Sequence, residues 1–168
     1  TFFATGEFAE KNPKYTQSIV DAGYPIYNHS WSHPEFISLS DEEIISQLSR
    51  TDDVIANGTG VSTKPYWRPP FGNRDSRVLK TAARTGYVSI YWTHDSHDSV
   101  GEKKSADFVA NRVLNPPNAK ANPDGYLDGG IILMHVGEEG TANAIPRIVD
   151  SLRARGFTLV TLDEILKP

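Results

Sequence analysis

The chain predicts an α/β fold of parallel strands, and three observations carry that expectation. Short apolar runs alternate with amphipathic stretches along the whole length. Most runs end in polar or charged residues, and Gly or Pro separates many of the segments. No composition shift or low-complexity linker divides the 168 residues, so residues 1–168 are expected to form one domain. Consecutive parallel strands need a crossover connection, which the helical stretches supply. Six strands are too few for the eight of a standard closed barrel, so a distorted, incomplete (β/α) barrel or an open doubly wound sheet is expected.

Each element has its own signal. Phe2 to Thr5 reads as the first strand. A helix follows over Pro13 to Ala22, with Asn12 as N-cap, Pro13 at the favoured first position and Gly23 as the stop. Tyr24 to Asn28 is the second strand. Ser40 opens the next helix, Glu43 completes a capping box, and Ile44, Ile45, Leu48, Val54 and Ile55 face inward before Asn57-Gly58. Asp52-Asp53 falls inside that helix. Tyr66 to Arg68, Tyr87 to Trp92, Gly130 to His135 and Phe157 to Thr161 read as the remaining strands, with helices over Ser76 to Thr85, Ala106 to Leu114 and Asn143 to Arg155. Gly86 closes the first of these helices and Gly156 the last.

Composition excludes several classes. Seventeen basic residues against 21 acidic ones, scattered without a stripe, give nothing for nucleic acid to bind. No apolar run approaches the roughly 20 residues of a membrane span; the longest, Ile131-Ile132-Leu133-Met134, suits a buried strand. Cysteine is absent, which excludes disulfides, thiolate metal sites and cysteine nucleophiles.

The chemistry-bearing residues gather just after strands. Asn28 to His33, Arg68 to Gly72, Asp95 to Asp98 and His135 all lie there, the position where α/β folds collect ligands on one rim. His29 and His33 are four apart. On a helical turn their Cβ atoms would lie about 5–6 Å apart, close enough for both rings to reach one ion at roughly 2.0–2.1 Å. Trp31, Trp67 and Trp92 could be core packing, although Trp31, between the histidines, reads as the wall of a substrate groove. Arg68 is open to two readings, a functional cation or a structural ion pair with Asp98 or Asp95, and Pro69-Pro70 could be only a rigid turn. His94 and His97 read as solvent-exposed loop residues. Asn28-His29-Ser30 and Asn57-Gly58-Thr59 match the glycosylation pattern, and a glycan on Asn28 would obstruct the histidines.

Five segments in order carry a family resemblance: Thr1-Phe2-Phe3-Ala4-Thr5-Gly6, Asn28-His29-Ser30-Trp31-Ser32-His33-Pro34, Arg68-Pro69-Pro70-Phe71-Gly72, Trp92-Thr93-His94-Asp95-Ser96-His97-Asp98 and Leu133-Met134-His135. Together they resemble the polysaccharide deacetylases of carbohydrate esterase family four, the NodB homology domain. Two positions depart from the pattern: Phe71 stands where Tyr is commoner, and Ser99 where Trp often follows the last aspartate. The family's Thr-Phe-Asp-Asp-Gly motif, source of a catalytic base and a carboxylate ligand, is expected some thirty residues before Phe2, so the chain is read as N-terminally truncated and its first strand as missing.

The resemblance implies hydrolysis of N-acetyl groups on amino sugars, as in chitin and peptidoglycan, or of O-acetyl groups on xylan. It implies a divalent metal, zinc with cobalt or nickel as alternatives, held by His29 and His33. It assigns His135 as general acid, Asp98 as its partner, Arg68 as the tether of the base, and the backbone at Phe71 as oxyanion donor. Trp31, Pro70 and Leu133 are assigned to the substrate. The partner implied is an acetylated polysaccharide or oligosaccharide, in a secreted or cell-envelope setting, with no nucleic acid and no membrane. The Phe2 edge, where a further strand would pair, invites self-association. With the base and the carboxylate ligand outside the chain, a carbohydrate-binding pseudoenzyme is the alternative reading.

Overall fold

In the computed structural model, which describes residues 1–119 and 121–166, strands and helices alternate along the chain. Their order is β1 (Phe2–Ala4), α1 (Gly6–Lys11), α2 (Pro13–Asp21), β2 (Ile26–Asn28), α3 (Asp41–Thr59), β3 (Tyr66–Trp67), α4 (Ser76–Arg84) and β4 (Val88–Ser89). Then come β5 (His94–Asp95), α5 (Ala106–Leu114), α6 (Pro123–Leu127), β6 (Ile132–Leu133), α7 (Glu139–Ala154) and α8 (Leu162–Ile165). Contacts divide the chain into two compact units, one running to Tyr91 and resuming at Thr161, the other spanning Trp92–Val160.

The first unit is built on a four-stranded parallel sheet in the order β1-β2-β3-β4. Phe2, Phe3 and Ala4 register with Ile26, Tyr27 and Asn28, Asn28 with Trp67, and Trp67 with Ser89. Short strands suffice because apolar side chains are buried on helices. α3 serves two clusters: Ile55 packs with Ala4, Ala9 and Ile26, while Ile44 and Leu48 pack with Phe36, Trp67 and Val78. Trp67 is fully buried and stacks on Phe36 at 4.9 Å between ring centroids. The second unit pairs β5 with β6 in parallel, His94 against Ile132 and Asp95 against Leu133. Its core is Val109, Ala110 and Val113 of α5 against Ala144, Ile148 and Leu152 of α7. All of the described strand ladders are parallel and none closes a barrel.

Several local expectations hold. Ser40 and Glu43 form the capping box, and Gly23, Gly86 and Gly156 take the left-handed conformation at helix ends (φ 77°, 88° and 91°). Others are corrected. α3 passes Asn57-Gly58 and stops at Gly60, which supplies the left-handed cap. Asn12 holds the N-cap position of α2 with Pro13 next, as expected, but its side chain serves α1 instead, Nδ2 donating to the Phe8 carbonyl at 3.1 Å. α7 starts at Glu139, a turn before Asn143, and α1, α6 and α8 were not expected. Phe157 to Thr161 joins none of the described ladders, with Leu159 and Val160 exposed, whereas His94-Asp95, expected in a loop, forms β5. An apolar, β-branched run becomes a strand only where a neighbour completes its ladder.

Candidate functional site

Two groups of polar residues stand out, one in each unit. In the first, the segment after β2 carries the paired histidines, and the backbone explains their arrangement. His29 donates its N–H to the Ala4 carbonyl at 2.9 Å, which ties the segment to the end of β1. Beyond it the chain is not a helical turn, contrary to the expectation from the spacing. Ser30 and His33 both adopt the left-handed conformation (φ 69° and 60°), which folds the loop back so that the two imidazoles meet. Their ring centroids lie 4.8 Å apart at 75°. Side chains stabilise these disfavoured residues: Ser30 N–H donates to Asn28 Oδ1 at 2.9 Å, and His33 N–H to Ser30 Oγ at 3.0 Å. Gln47 of α3 accepts from the Trp31 and Ser32 amides at 2.8 and 3.0 Å. The sequence offered no signal for Gln47 beyond a polar residue in a helix. Asn28 is fully buried, which excludes a glycan on it in the folded chain.

His29 Nδ1 lies 2.8 Å from the Arg68 carbonyl oxygen. A carbonyl only accepts, so Nδ1 carries the proton and Nε2 is the basic nitrogen of the neutral ring. This is the arrangement of a metal-ligating histidine, whose second nitrogen is oriented by an outer partner. His33 packs edge-on against Phe71, with centroids 4.6 Å apart. Phe71 is itself left-handed (φ 57°) and 59% exposed, while Pro70 beside it is buried. Two imidazoles with centroids 4.8 Å apart would offer a divalent cation two nitrogens. Among the described residues no third His, Asp or Glu joins them in metal-holding geometry.

Arg68 follows β3 and is 8% exposed. Its guanidinium lies 4.2 Å from the centre of the Phe3 ring, a cation–π contact that compensates part of its lost hydration. Burial pulls its pKa down to about 10, so it stays charged at neutral pH. Trp31 is wedged between Gly6, the first residue of α1, and the Arg50 guanidinium, which sits 4.0 Å over the ring. A Cβ on Gly6 would lie 2.2 Å from Trp31 Cε3 and 2.9 Å from Thr51 Oγ1. Gly6→Ala is therefore expected to displace the indole and lower stability by about 1–3 kcal/mol; a thermal melt coincident with wild type would contradict this.

In the second unit, Asp98 is 1% exposed and every hydrogen bond it accepts is specific. Oδ1 accepts from His135 Nδ1 at 2.8 Å, while Oδ2 accepts from the His135 amide at 2.7 Å and from Thr141 Oγ1 at 2.6 Å. Burial by itself would raise the Asp98 pKa, but the bonds from His135 and Thr141 outweigh it and hold the carboxyl near 2. The Asp98 hydrogen bond raises the His135 pKa above its ordinary value, against an opposing effect of burial. Because Nδ1 is engaged, Nε2 is the nitrogen that can exchange a proton. Thr141, in the first turn of α7, escaped the sequence reading because the helix was expected to start later. Leu133, two residues before His135, is 9% exposed.

The signs of these shifts set a pH window. Asp98, depressed, contributes stability above its unfolded value of about 3.9 and loses it as pH falls toward about 2. His135, raised, contributes fully below about 6.5 and loses it as pH rises through its folded pKa. The melting-temperature difference between wild type and Asp98→Asn is expected to be largest between about pH 4 and 6.5. A difference growing steadily above pH 7 would contradict the assignment.

The neighbouring histidines are not what the sequence suggested. His94 is 5% exposed, not a solvent-facing loop residue; its Nε2 donates to the Arg112 carbonyl at 2.8 Å, and burial lowers its pKa. His97 is half-buried in a left-handed turn (φ 54°), its N–H donating to Asp95 Oδ1 at 2.7 Å.

Comparison with known proteins matches residues 1–90 to the polysaccharide deacetylase family. A peptidoglycan-N-acetylglucosamine deacetylase from Bacillus cereus is 30% identical over 99% of this chain and 58% of its own length. A solved carbohydrate esterase family 4 (CE4) pseudoenzyme from Bacillus anthracis superposes with a TM-score of 0.86 at 30% identity, covering 99% of this chain and 54% of that one. A family 4 carbohydrate esterase from Streptomyces lividans, solved with acetate, gives 0.78 at 32% identity over 92% of this chain and 73% of that one. The chain spans 58–60% of the length of three of the curated relatives it matches and 20–48% of five others. Its α/β fold of parallel strands is that of the CE4 structures, and with the family match over its first 90 residues the chain belongs to the polysaccharide deacetylase family.

Proposed function

We propose that this chain is the deacetylase domain of a metal-dependent enzyme that removes N-acetyl groups from an amino-sugar polymer of the cell envelope. The observation that supports this reading is the His29 ring, whose Nδ1 is committed to a carbonyl so that Nε2 is its basic nitrogen, with the His33 ring 4.8 Å away. A divalent cation held by the two histidines, zinc with cobalt or nickel as alternatives, would supply Lewis acidity toward water and the acetyl carbonyl. The chain's own residues supply the rest. The main-chain N–H at Phe71 serves the developing oxyanion, a role commonly worth about 2.7–4 kcal/mol of barrier. His135 donates a proton from Nε2 to the departing amine, and Asp98 stabilises the imidazolium that precedes the transfer. Arg68, buried and charged, provides the cation that would orient a carboxylate base.

The Bacillus cereus relative, named for peptidoglycan N-acetylglucosamine, supports an amide-linked acetyl over the acetyl esters of xylan. The second reading, a carbohydrate-binding pseudoenzyme, is supported by the likeness to the Bacillus anthracis structure and by the absence of a third metal-holding residue beside the histidines among those described. Acetate release from an N-acetylglucosamine oligomer separates them. The preferred reading expects release that stops on chelation and returns with zinc, and release from acetylated xylan that is slower. Saccharide binding without acetate from either substrate, with or without zinc, would establish the second.

A further inference from the structure

We infer that Asp52, Thr63 and Tyr87 form a one-directional hydrogen-bond relay, through Asn28 and Ser30, that positions the His29–His33 loop for metal binding. The directions follow from chemistry at one end. Asp52 Oδ1 can only accept, so the Thr63 hydroxyl 2.8 Å away donates to it. With its single proton committed, Thr63 Oγ1 must accept from the Tyr87 hydroxyl at 2.7 Å. That in turn commits the Tyr87 proton, so its oxygen accepts from Asn28 Nδ2 at 2.9 Å. The Asn28 amide, whose Nδ2 also donates to the Leu48 carbonyl at 2.9 Å and lies 3.2 Å from Thr63 Oγ1, presents Oδ1 to Ser30 N–H, and Ser30 Oγ receives His33 N–H. Asp52 is fastened at its own end by the Thr63 amide at 2.6 Å and the Ser62 hydroxyl at 2.9 Å.

Burial makes this arrangement consequential. Asn28, Ser30 and Thr63 are fully buried and Tyr87 is 3% exposed, so water cannot replace a lost member and the order of donors cannot reverse at low cost. The left-handed conformations of Ser30 and His33 are unfavourable by themselves, and the last two bonds of the relay hold them. The two adjacent aspartates of α3 differ in use: Asp52 anchors the relay, and Asp53 is an exposed neighbour outside it. These three are positioning residues, acting through Asn28 and Ser30.

The consequence for metal rests on the histidine reading given under Proposed function, and the experiment keeps the two separable. Tyr87→Phe and Thr63→Val each remove one hydroxyl with little change in volume, while Thr63→Ser keeps it. Amide hydrogen exchange at Ser30 and His33 is measured alongside zinc affinity by titration calorimetry. In Tyr87→Phe and Thr63→Val the two amides are expected to exchange roughly tenfold faster, and zinc to bind about 10–100-fold more weakly. Thr63→Ser restores both. If one variant fails to fold, the other carries the test. Unchanged exchange in the folded variants overturns the relay, and faster exchange with unchanged zinc affinity overturns its role in metal positioning. A wild-type chain that binds no zinc overturns the metal reading and with it that role, while the exchange result still decides the relay.

Discussion

Asp98→Asn is expected to lower kcat/KM for acetate release by about 10²–10⁴, the range that general acid–base catalysis commonly contributes. The substitution preserves shape and removes the charge that Oδ1 presents to His135 Nδ1 at 2.8 Å. His135 must be protonated to act as an acid, so activity falls as pH rises through its pKa. That pKa is raised chiefly by the hydrogen bond to Asp98, while burial works in the opposite direction. Without the carboxylate only the opposing influence and weaker charges remain. The alkaline limb of the pH–rate profile should therefore move to lower pH, and at acid pH part of the lost rate should return. A uniform loss at every pH would mean that Asp98 is needed for folding of the β6–α7 connection and not for tuning the acid. Full activity would mean that the Asp98 carboxylate does not tune the acid.

The second large effect is expected at the paired histidines. His29→Ala should weaken zinc binding by more than the about 10–100-fold typical of a lost outer partner, because the proposed ligand nitrogen itself is removed. Acetate release should fall to the background of chelated enzyme. His33→Ala should do the same and also loosen Phe71, which packs on the His33 ring at 4.6 Å. Calorimetric titration with zinc reads the first effect and acetate assay the second. Zinc binding unchanged in both variants would place the metal elsewhere in the chain.

The fold was legible where a local rule decides and illegible where a neighbour does. Ser40 with Glu43, and glycines after helices, announce helix ends because their partners lie within a few residues. β5 and the segment Phe157 to Thr161 were misread because a short strand is defined by its ladder, which no local pattern encodes. The same distinction runs through the candidate site. His29, His33, Arg68, Asp98 and His135 could be named in advance because their residue types and spacings resemble a family. Their supports could not: Thr141 meets Asp98 across 43 positions and Tyr87 meets Asn28 across 59. The histidine spacing was itself read with the wrong geometry. A helical turn would have brought the rings together, but a loop with two left-handed residues does so instead, and those residues need the buried bonds beneath them.

X-ray absorption spectroscopy of the zinc-loaded chain tests the central claim most directly, because it counts the ligands around the metal. Two imidazole nitrogens at about 2.0–2.1 Å, both lost in the His29→Ala, His33→Ala double variant, are the predicted result. A zinc shell without imidazole, or one that the double variant leaves unchanged, would contradict it.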